Sequence, residues 1–187
     1  MAAARASWPE RVAGWIAGGL VFVDESGANL QMTRARGRCP AGQRLPGKIP
    51  RGHYQTTTLV AGIRRDGPNA PCVFDGPMDG PMFLAWVRRG LAPTLRPGET
   101  VIVDNLSVHK VAGVREAIAA AGASLEYLPP YSPDLNPIEN LWSKIKQSLR
   151  SAAPRTRRQL LKAVKTAFAA VSAADCQAFF RHAGYAT

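Results

Sequence analysis

The stretch TVIVDNLSVHKVAGVREAIAAAGASLEYLPPYSPDLNPIENLW, residues 100–142, decides the fold of this chain. Residues 100–104 are mostly apolar and β-branched and predict a buried strand, residues 108–121 are rich in alanine and predict a helix, and residues 124–128 predict another strand. A strand, a helix and a strand at this spacing predict a crossover between parallel strands.

The end of this stretch predicts a second long helix. Prolines at 129, 130 and 133 make a stiff connection, after which Asn136 suits an N-cap, Pro137 the first helical position and Glu139 the third. The helix is predicted to run to about residue 150, and a further helix is predicted over residues 157–171. The predicted core faces of these two helices are Ile138, Leu141, Trp142, Ile145 and Leu149, and then Leu160, Leu161, Val164, Phe168 and Val171.

The residues before 100 predict a strand meander. Residues 20–24 form an apolar run, and residues 28–33 alternate well enough to be its hairpin partner across Glu25, Ser26 and Gly27. The meander continues with strands over 56–63 and around Val73, joined by a turn at 65–68. One helix is predicted before it, over residues 8–18 and stopped by Gly18 and Gly19, and another after it, over 79–91. The fold class is therefore mixed α/β.

Composition and charge narrow the class of protein. With 187 residues and 46% hydrophobic content, the chain is long enough to form one domain with a buried core. Its 24 Lys and Arg against 13 Asp and Glu give a net charge of +11, which favours a polyanionic partner such as nucleic acid, although a basic protein that is merely soluble stays open.

The cysteines and the longest uncharged run argue against a zinc or disulfide-stabilised protein and against a membrane protein. Cys39, Cys72 and Cys176 show no C-x-x-C spacing, which argues against both a zinc site and a disulfide framework and favours a reducing compartment. The uncharged run over residues 12–23 is too short to span a bilayer and ends at an acid without a small-residue cleavage site, so no membrane segment is predicted.

Three carboxylates are the candidate catalytic residues. Asp24 and Asp104 end two predicted strands, and Glu139 opens a helix, so the fold could bring them together. Taken singly, each has a structural explanation: the two aspartates suit turns, and Glu139 could form a capping box with Asn136. Taken together they predict a metal site, because hard oxygen ligands bind Mg²⁺ and a two-metal site activates water and relieves charge on a leaving oxygen during phosphodiester hydrolysis.

Basic residues near these acids predict contacts with phosphates. The segment 34–51 reads as a loop rich in glycine and proline, and Ser143, Lys146 and Arg150 extend a helical stripe from Glu139. An ordinary solvated surface is the alternative in both places. The predicted DNA-binding residues are Arg34, Arg36, Arg38, Arg44, Lys48, Lys146 and Arg150.

The three acidic segments together resemble a known family. VFVDESG at residues 21–27, VIVDNLSVHK at 101–110 and LPPYSPDLNPIENLW at 128–142 resemble the catalytic blocks of DDE transposases, in particular the bacterial insertion-sequence group related to mariner elements. Between Asp104 and Glu139 lie 34 residues, a spacing similar to that of the family. The resemblance extends from about Leu20 to Tyr185, and GRCPAGQR is similar to the family's loop after the second strand.

The resemblance implies a fold, a reaction and a set of site residues. It implies a ribonuclease H-like domain over residues 1–187 with a mixed central sheet flanked by helices, and cut-and-paste transposition with two Mg²⁺ or Mn²⁺ ions. Asp24, Asp104 and Glu139 would be the metal ligands, while Asn105, His109 and Asn140 could orient the site or the scissile phosphate. For His109, simple capping or packing near the start of a helix remains an alternative.

This chain departs from the family pattern at its N-terminus, and that departure leads us to expect a partner. Transposases of this kind usually carry an N-terminal helix-turn-helix region that reads the element ends, whereas here the first catalytic strand begins within 25 residues of Met1. We therefore expect the catalytic half of a split or truncated transposase, working with an upstream helix-turn-helix polypeptide and as a homodimer on DNA. The expected location is the bacterial cytoplasm, on the nucleoid when DNA is bound.

Other functions stay open at this point. A different ribonuclease H-like nuclease, such as a junction resolvase or an RNA–DNA hybrid nuclease, would share the carboxylates and the charge, but SPDLNPIENLW argues against it. From other classes, the chain could be a catalytically inactive DNA-binding or dimerisation remnant, or a purely structural basic domain, which ranks last.

Overall fold

A five-stranded mixed sheet forms the centre of the computed structural model, which describes residues 2–15, 19–34, 36–52 and 55–185. The strand order is β3-β2-β1-β4-β5, with β1, β2 and β3 antiparallel in a meander and β1, β4 and β5 parallel. The strands are β1 Leu20–Ala28, β2 Thr57–Arg64, β3 Gly67–Asp75, β4 Thr100–Val103 and β5 Ser124–Tyr127. The helices are α1 Ala2–Ala6, α2 Trp8–Ala13, α3 Gly80–Trp86, α4 Val114–Ala120, α5 Ile138–Ala152, α6 Arg157–Ala169 and α7 Ala173–His182.

Alternation along β1 builds a core on each face of the sheet. Leu20 and Phe22 join one buried cluster, and Val21 and Val23 join the other, because successive side chains of a strand point to opposite faces. The first cluster lies under α2, α5, α6 and α7, and the second lies under α3, α4 and a π-helical turn, Val87–Leu91. The predicted mixed α/β sheet flanked by helices is confirmed.

The predicted apolar helix faces are largely confirmed. All five predicted core residues of α5 are buried, as are Leu160, Val164 and Phe168 of α6. Leu161 and Val171 are exceptions: Leu161 is exposed, and Val171 is only partly buried and lies beyond the end of α6 at Ala169. Helix α7 is not among the predicted elements, although a capping box between Ser172 and Asp175 marks its start.

The hairpin predicted over residues 20–33 is wrong. β1 continues through Glu25, Ser26 and Gly27 to Ala28, and residues 29–33 form no strand. Its antiparallel partner is β2, with Asp24 opposite Ala61 and Ala28 opposite Thr57. Ser-Gly suits a turn in isolation, but here Ser26 is buried and both residues are paired in the sheet, so tertiary pairing overrides the local preference.

Two predicted helices are shorter than expected. Residues 108–121 split into a 3₁₀ turn, Ser107–Lys110, and helix α4, because Gly113 has a φ of 94° and interrupts the helical path. The helix predicted over residues 8–18 ends at Ala13, and Gly18, its predicted stop, lies outside the described residues. The loop prediction for residues 34–51 agrees with the described part of that segment, in which neither helix nor strand occurs.

A buried ion pair joins the end of β2 to the start of β4. Arg64 and Glu99 have side chains only 10% and 4% exposed, and Arg64 Nε donates to Glu99 Oε1 at 2.6 Å while Nη2 donates to Oε2 at 2.8 Å. The backbone N–H of Arg96 also donates to Glu99 Oε2. The two charges therefore satisfy each other inside the fold.

Tyr185 connects the two ends of the chain. The Trp8 indole N–H donates to the Tyr185 hydroxyl at 2.8 Å, and that hydroxyl donates to the Leu135 carbonyl at 2.6 Å. Burial raises the pKa of the phenol well above its usual value, so the hydroxyl stays protonated and can donate.

Tyr185→Phe is expected to lower the free energy of unfolding by about 1–3 kcal/mol, since it leaves the Trp8 N–H and the Leu135 carbonyl without a partner. Chemical denaturation of the two proteins measures this difference. Tyr127→Phe is the matched control, because among the described residues the Tyr127 hydroxyl makes only a long 3.4 Å contact to the His109 carbonyl. Equal losses in the two variants would contradict the assignment.

Candidate active site

The pairing of β1 with β4 brings two of the three predicted acids together. The strands are parallel neighbours with Val23 opposite Val103, so Asp24 and Asp104 follow equivalent positions at the same edge of the sheet. Each carboxylate accepts a hydrogen bond from nearby backbone: Glu25 N–H donates to Asp24 Oδ1 at 2.8 Å and Leu106 N–H donates to Asp104 Oδ1 at 3.0 Å. Sheet register and local hydrogen bonds thus fix both carboxylates.

The third acid reaches the same cavity from α5. Glu139 lies in the first turn of that helix, and it lines one cavity of about 650 Å³ together with Asp24 and Asp104. Glu139 is exposed, and no three His, Cys, Asp or Glu side chains within the described ranges come close enough to ligate one ion as they stand. The three acids therefore line one cavity, but their carboxylates are too far apart to ligate a single ion together.

Asp24 has a partly buried carboxyl group surrounded by three other acids. Burial raises the pKa of this carboxyl to about 7, a backbone N–H opposes the shift, and the nearby charges of Glu139, Glu25 and Asp104 raise it further. A cation between these groups would relieve their repulsion, and carboxylate oxygens are the hard donors that Mg²⁺ and Mn²⁺ prefer. The donor set therefore fits divalent cations.

His109 lies between the carboxylates of Glu25 and Asp104. Its ring is fully buried against Phe83, Nε2 lies 3.0 and 3.1 Å from the two Glu25 carboxylate oxygens, and Nδ1 lies 2.6 Å from Asp104 Oδ1. The Nδ1 contact is a close approach of opposite charges rather than a straight hydrogen bond. Burial opposes a charged ring, but Asp104 and Glu25 outweigh it and raise the pKa of His109 to about 10.

The same contacts act on Asp104. Burial raises the pKa of this carboxyl, yet His109 and the Leu106 N–H lower it by more, so it lies below its usual value. His109 lies in the 3₁₀ turn, not one turn into a helix, and its burial between two acids replaces the simple capping explanation. Glu25 is not among the predicted site residues, because its place beside Asp24 suggests only a turn.

The remaining predicted residues divide between two cavities. Asn105 lines the main cavity, whereas Asn140 lines a neighbouring one that Glu139 shares. The prediction that Asn136 caps α5 is wrong: its side chain makes no capping bond, and its buried Oδ1 has no hydrogen-bond partner in the described part of the chain. Its carbonyl accepts from Glu139 N–H instead, because the 3₁₀ turn Pro133–Leu135 sets the entry to the helix.

The predicted DNA-binding residues lie at the surface, away from the cavity lining. The basic side chains described in the 34–51 loop are exposed, Arg150 is exposed and Lys146 is partly buried on α5. Lys110, which is not among the predicted residues, lines the main cavity itself, and its charge lies over the Tyr127 ring. None of the described helices has the length and apolar character needed to cross a membrane.

Comparison with known proteins places these features in context. A family model described as DDE superfamily endonuclease matches residues 19–161, which include all three acids. No curated protein sequence matches the chain.

Solved structures share the fold at low sequence identity. A pre-cleavage Mos1 transpososome matches with a TM-score of 0.73 and 14% identity, over 96% of this chain and 56% of that chain. The mariner Mos1 paired end complex with Mg matches with a TM-score of 0.73 and 17% identity, over 95% and 56%. The catalytic domain of Mos1 mariner transposase matches with a TM-score of 0.63 and 14% identity, over 96% and 82%. The chain thus spans little more than half of the chains in the two complexes.

Proposed function

Because this chain belongs to the DDE superfamily of endonucleases, we propose that it is the catalytic domain of a transposase, which cuts DNA at the ends of a mobile element and transfers the freed strand to target DNA. The observation that carries the proposal is the meeting of Asp24, Asp104 and Glu139 at one cavity. In the first step the oxygen of water forms a bond to phosphorus and the O3′–P bond breaks. In the second step the freed 3′-oxygen forms a bond to phosphorus in the target DNA, the target's own O3′–P bond breaks, and the displaced 3′-oxygen leaves as a hydroxyl after taking up the proton.

The three acids would hold the cations. Asp24 and Asp104 are fixed by the sheet, and Glu139 would complete the ligand set from α5. We propose two Mg²⁺ or Mn²⁺ ions, which when bound supply an activated nucleophile and relief of charge on the leaving oxygen. The Mos1 structures that share this fold include complexes with Mg and with Mn.

His109 would act as a positioning residue. By contacting Asp104 on one side and Glu25 on the other, it keeps two carboxylates at fixed places despite their mutual repulsion. Asn105 and Lys110 line the same cavity, and we propose that they orient and neutralise the scissile phosphate. Asn140 lines the neighbouring cavity next to Glu139, and we propose that it helps to orient that carboxylate.

DNA binding is proposed to depend on the exposed basic residues. Arg34, Arg36 and Arg38 lie close together in the chain on the exposed loop, while Lys146 and Arg150 share α5 with Glu139. Each phosphate contact from such residues releases counterions from DNA, so the contribution is independent of sequence and sensitive to salt.

Replacing Arg34, Arg36 and Arg38 together by glutamine is expected to weaken DNA binding and flatten its salt dependence. The slope of log K against log salt concentration should fall in magnitude by about 0.9 for each phosphate that the variant no longer neutralises. Fluorescence anisotropy over a salt series measures the slope. Replacing Arg88 and Arg89, which lie on the π-helical turn, by glutamine is the matched control. An unchanged slope in the triple variant would remove the loop from the DNA-binding surface.

Partners are proposed from the comparisons. The Mos1 structures that share this fold include paired-end complexes and a transpososome, which supports transposon ends and target DNA as substrates and a homodimer as the working form. We propose that an upstream helix-turn-helix polypeptide supplies recognition of the ends, and that the protein acts in the bacterial cytoplasm on nucleoid DNA.

A divalent-metal titration tests the proposed function directly. DNA carrying the flanking ends of the gene is incubated with the protein at increasing Mg²⁺ or Mn²⁺, and both nicked and strand-transfer products are measured. Products that depend on metal, with transfer from a pre-cut 3′ end, support a transposase. Nicking without transfer would favour another ribonuclease H-like nuclease, and binding without either product would favour an inactive DNA-binding remnant.

A further inference from the structure

Tyr131 is exposed at the rim of the acidic cavity in an unusual conformation. The residue is 88% exposed, and its φ of 55° lies in the left-handed region, which bulky residues rarely adopt. Within the described ranges its ring makes no ring contact and its hydroxyl no hydrogen bond. The ring therefore adds nothing to the core, and its position calls for another explanation.

The loop around Tyr131 is held firmly by polar contacts. Arg5 Nη1 donates to Ser132 Oγ at 2.8 Å and to Asp134 Oδ1 at 2.9 Å, Nη2 donates to Asp134 Oδ2 at 2.6 Å, and a longer contact reaches the Tyr131 carbonyl. Ser132 Oγ also donates to the Pro130 carbonyl. These contacts maintain a strained backbone that directs an aromatic ring outward, and such strain persists where the surroundings over-determine it.

A second exposed apolar side chain lines the same cavity. Leu106 is 54% exposed, and its backbone N–H is bound by Asp104, one of the three acids. Tyr131, Leu106 and Lys110 therefore line the cavity that also holds Asp24, Asp104 and Glu139. An aromatic face and an aliphatic group beside a cation suit one ligand chemistry in particular, an unpaired nucleobase on its phosphate backbone.

We propose that Tyr131 stacks on a nucleobase extruded from the DNA beside the phosphate that is cut, with Leu106 contacting the same nucleotide. This inference rests on the proposed function, since it takes the cavity to be the place of cleavage. Stacking would keep the DNA end open at the acids, and it would tolerate any base, because every base has an aromatic face.

A binding cycle tests the stacking. Duplex DNA with a single-stranded tail is made in two forms, one with thymine and one with an abasic nucleotide at the tail position next to the duplex. Affinities are measured by fluorescence anisotropy in EDTA for the wild type, Tyr131→Ala and Tyr131→Trp. Alanine suits the comparison because Ala153 already adopts a φ of 45° in this fold. Circular dichroism checks that both variants fold.

The expected result is a preference that depends on the ring. The wild type should bind the thymine form on the order of tenfold more tightly than the abasic form, as one stacked base provides. Tyr131→Ala should bind both forms equally, and Tyr131→Trp should keep the preference. The inference is overturned if the wild type shows no preference, if Tyr131→Ala keeps it, or if Tyr131→Ala changes only the oligomeric state, which would make the ring a protein contact.

This readout is independent of cleavage. If the wild type shows a Tyr131-dependent preference but never cuts DNA in the metal titration, the proposed function fails and the base site stands. If it cuts DNA but shows no such preference, the base site alone fails.

Discussion

Asp104→Ala is expected to abolish metal-dependent cleavage and strand transfer, with a fall in rate of about a thousandfold or more. Losing one carboxylate of three removes much of the hold on the cations, and several kcal/mol of transition-state stabilisation correspond to a loss of that size. Rates of nicking and of strand transfer from a pre-cut end measure the effect at saturating Mg²⁺. General DNA binding should stay nearly intact, because Asp104 lies in the cavity and not among the exposed basic residues. Circular dichroism checks folding, because the buried His109 loses one of its two carboxylate partners and keeps Glu25.

Two further variants serve as controls for Asp104→Ala. One tests whether the charge or the shape of the side chain matters, and the other tests whether the loss of any surface carboxylate has the same effect. Asp104→Asn keeps the oxygen that accepts from the Leu106 N–H, so equal loss in this variant assigns the effect to charge. Asp66→Ala removes an exposed carboxylate that pairs with Arg96 far from the cavity, and it should cleave like the wild type. Wild-type rates in Asp104→Ala would refute the proposed mechanism.

Glu99→Ala is expected to cause the largest loss of stability, about 3–5 kcal/mol. It leaves the guanidinium of Arg64 buried without its counter-charge and the Arg96 N–H without an acceptor, and breaking one side of a buried pair is costly. This is a large share of the roughly 5–15 kcal/mol that holds a domain folded. Urea denaturation measures the free energy of unfolding.

A double replacement distinguishes an unpaired charge from poorer packing. Arg64→Met combined with Glu99→Leu removes both charges and should recover most of the stability, since apolar residues of similar size often replace buried ion pairs without loss. Asp66→Ala, which breaks only the exposed pair with Arg96, should unfold almost as the wild type does. If the double variant is as unstable as Glu99→Ala, the charge explanation fails.

Much of the fold could be predicted because local pattern and tertiary structure agree. The crossover around β4 and β5 and the buried face of α5 follow from apolar runs and from helical spacing, both of which match the final burial. The wrong hairpin shows the limit: Ser26 and Gly27 favour a turn, and only the pairing with β2, across a long basic loop, decides that they extend β1.

The meeting of the three acids at one cavity could be predicted, and His109 is among the predicted accessory residues, but the contacts that support the acids could not be predicted. Asp24, Asp104 and Glu139 each mark the boundary of a predicted secondary-structure element, which a single sequence reveals. Glu25 and His109 are 84 residues apart and meet only because β1 and the turn after β4 are neighbours in space. Tyr131 carries no signal in the sequence beyond its neighbouring prolines, since its exposure and its backbone angle are properties of the folded loop.

The central place of β1 and β4 in the sheet has a consequence for dynamics. Each strand has a partner on both sides, so we expect their amide protons to be among the slowest of the domain to exchange with solvent. Asp24 and Asp104 lie at the ends of the paired stretch of these two strands, so local opening should separate them less readily than residues at the sheet edges. The opposite wall is the loop between β5 and α5, which belongs to no strand and is held by side-chain contacts from Arg5 to Ser132 and Asp134. One wall of the cavity is thus held by backbone pairing within the sheet, and the other is held by side chains.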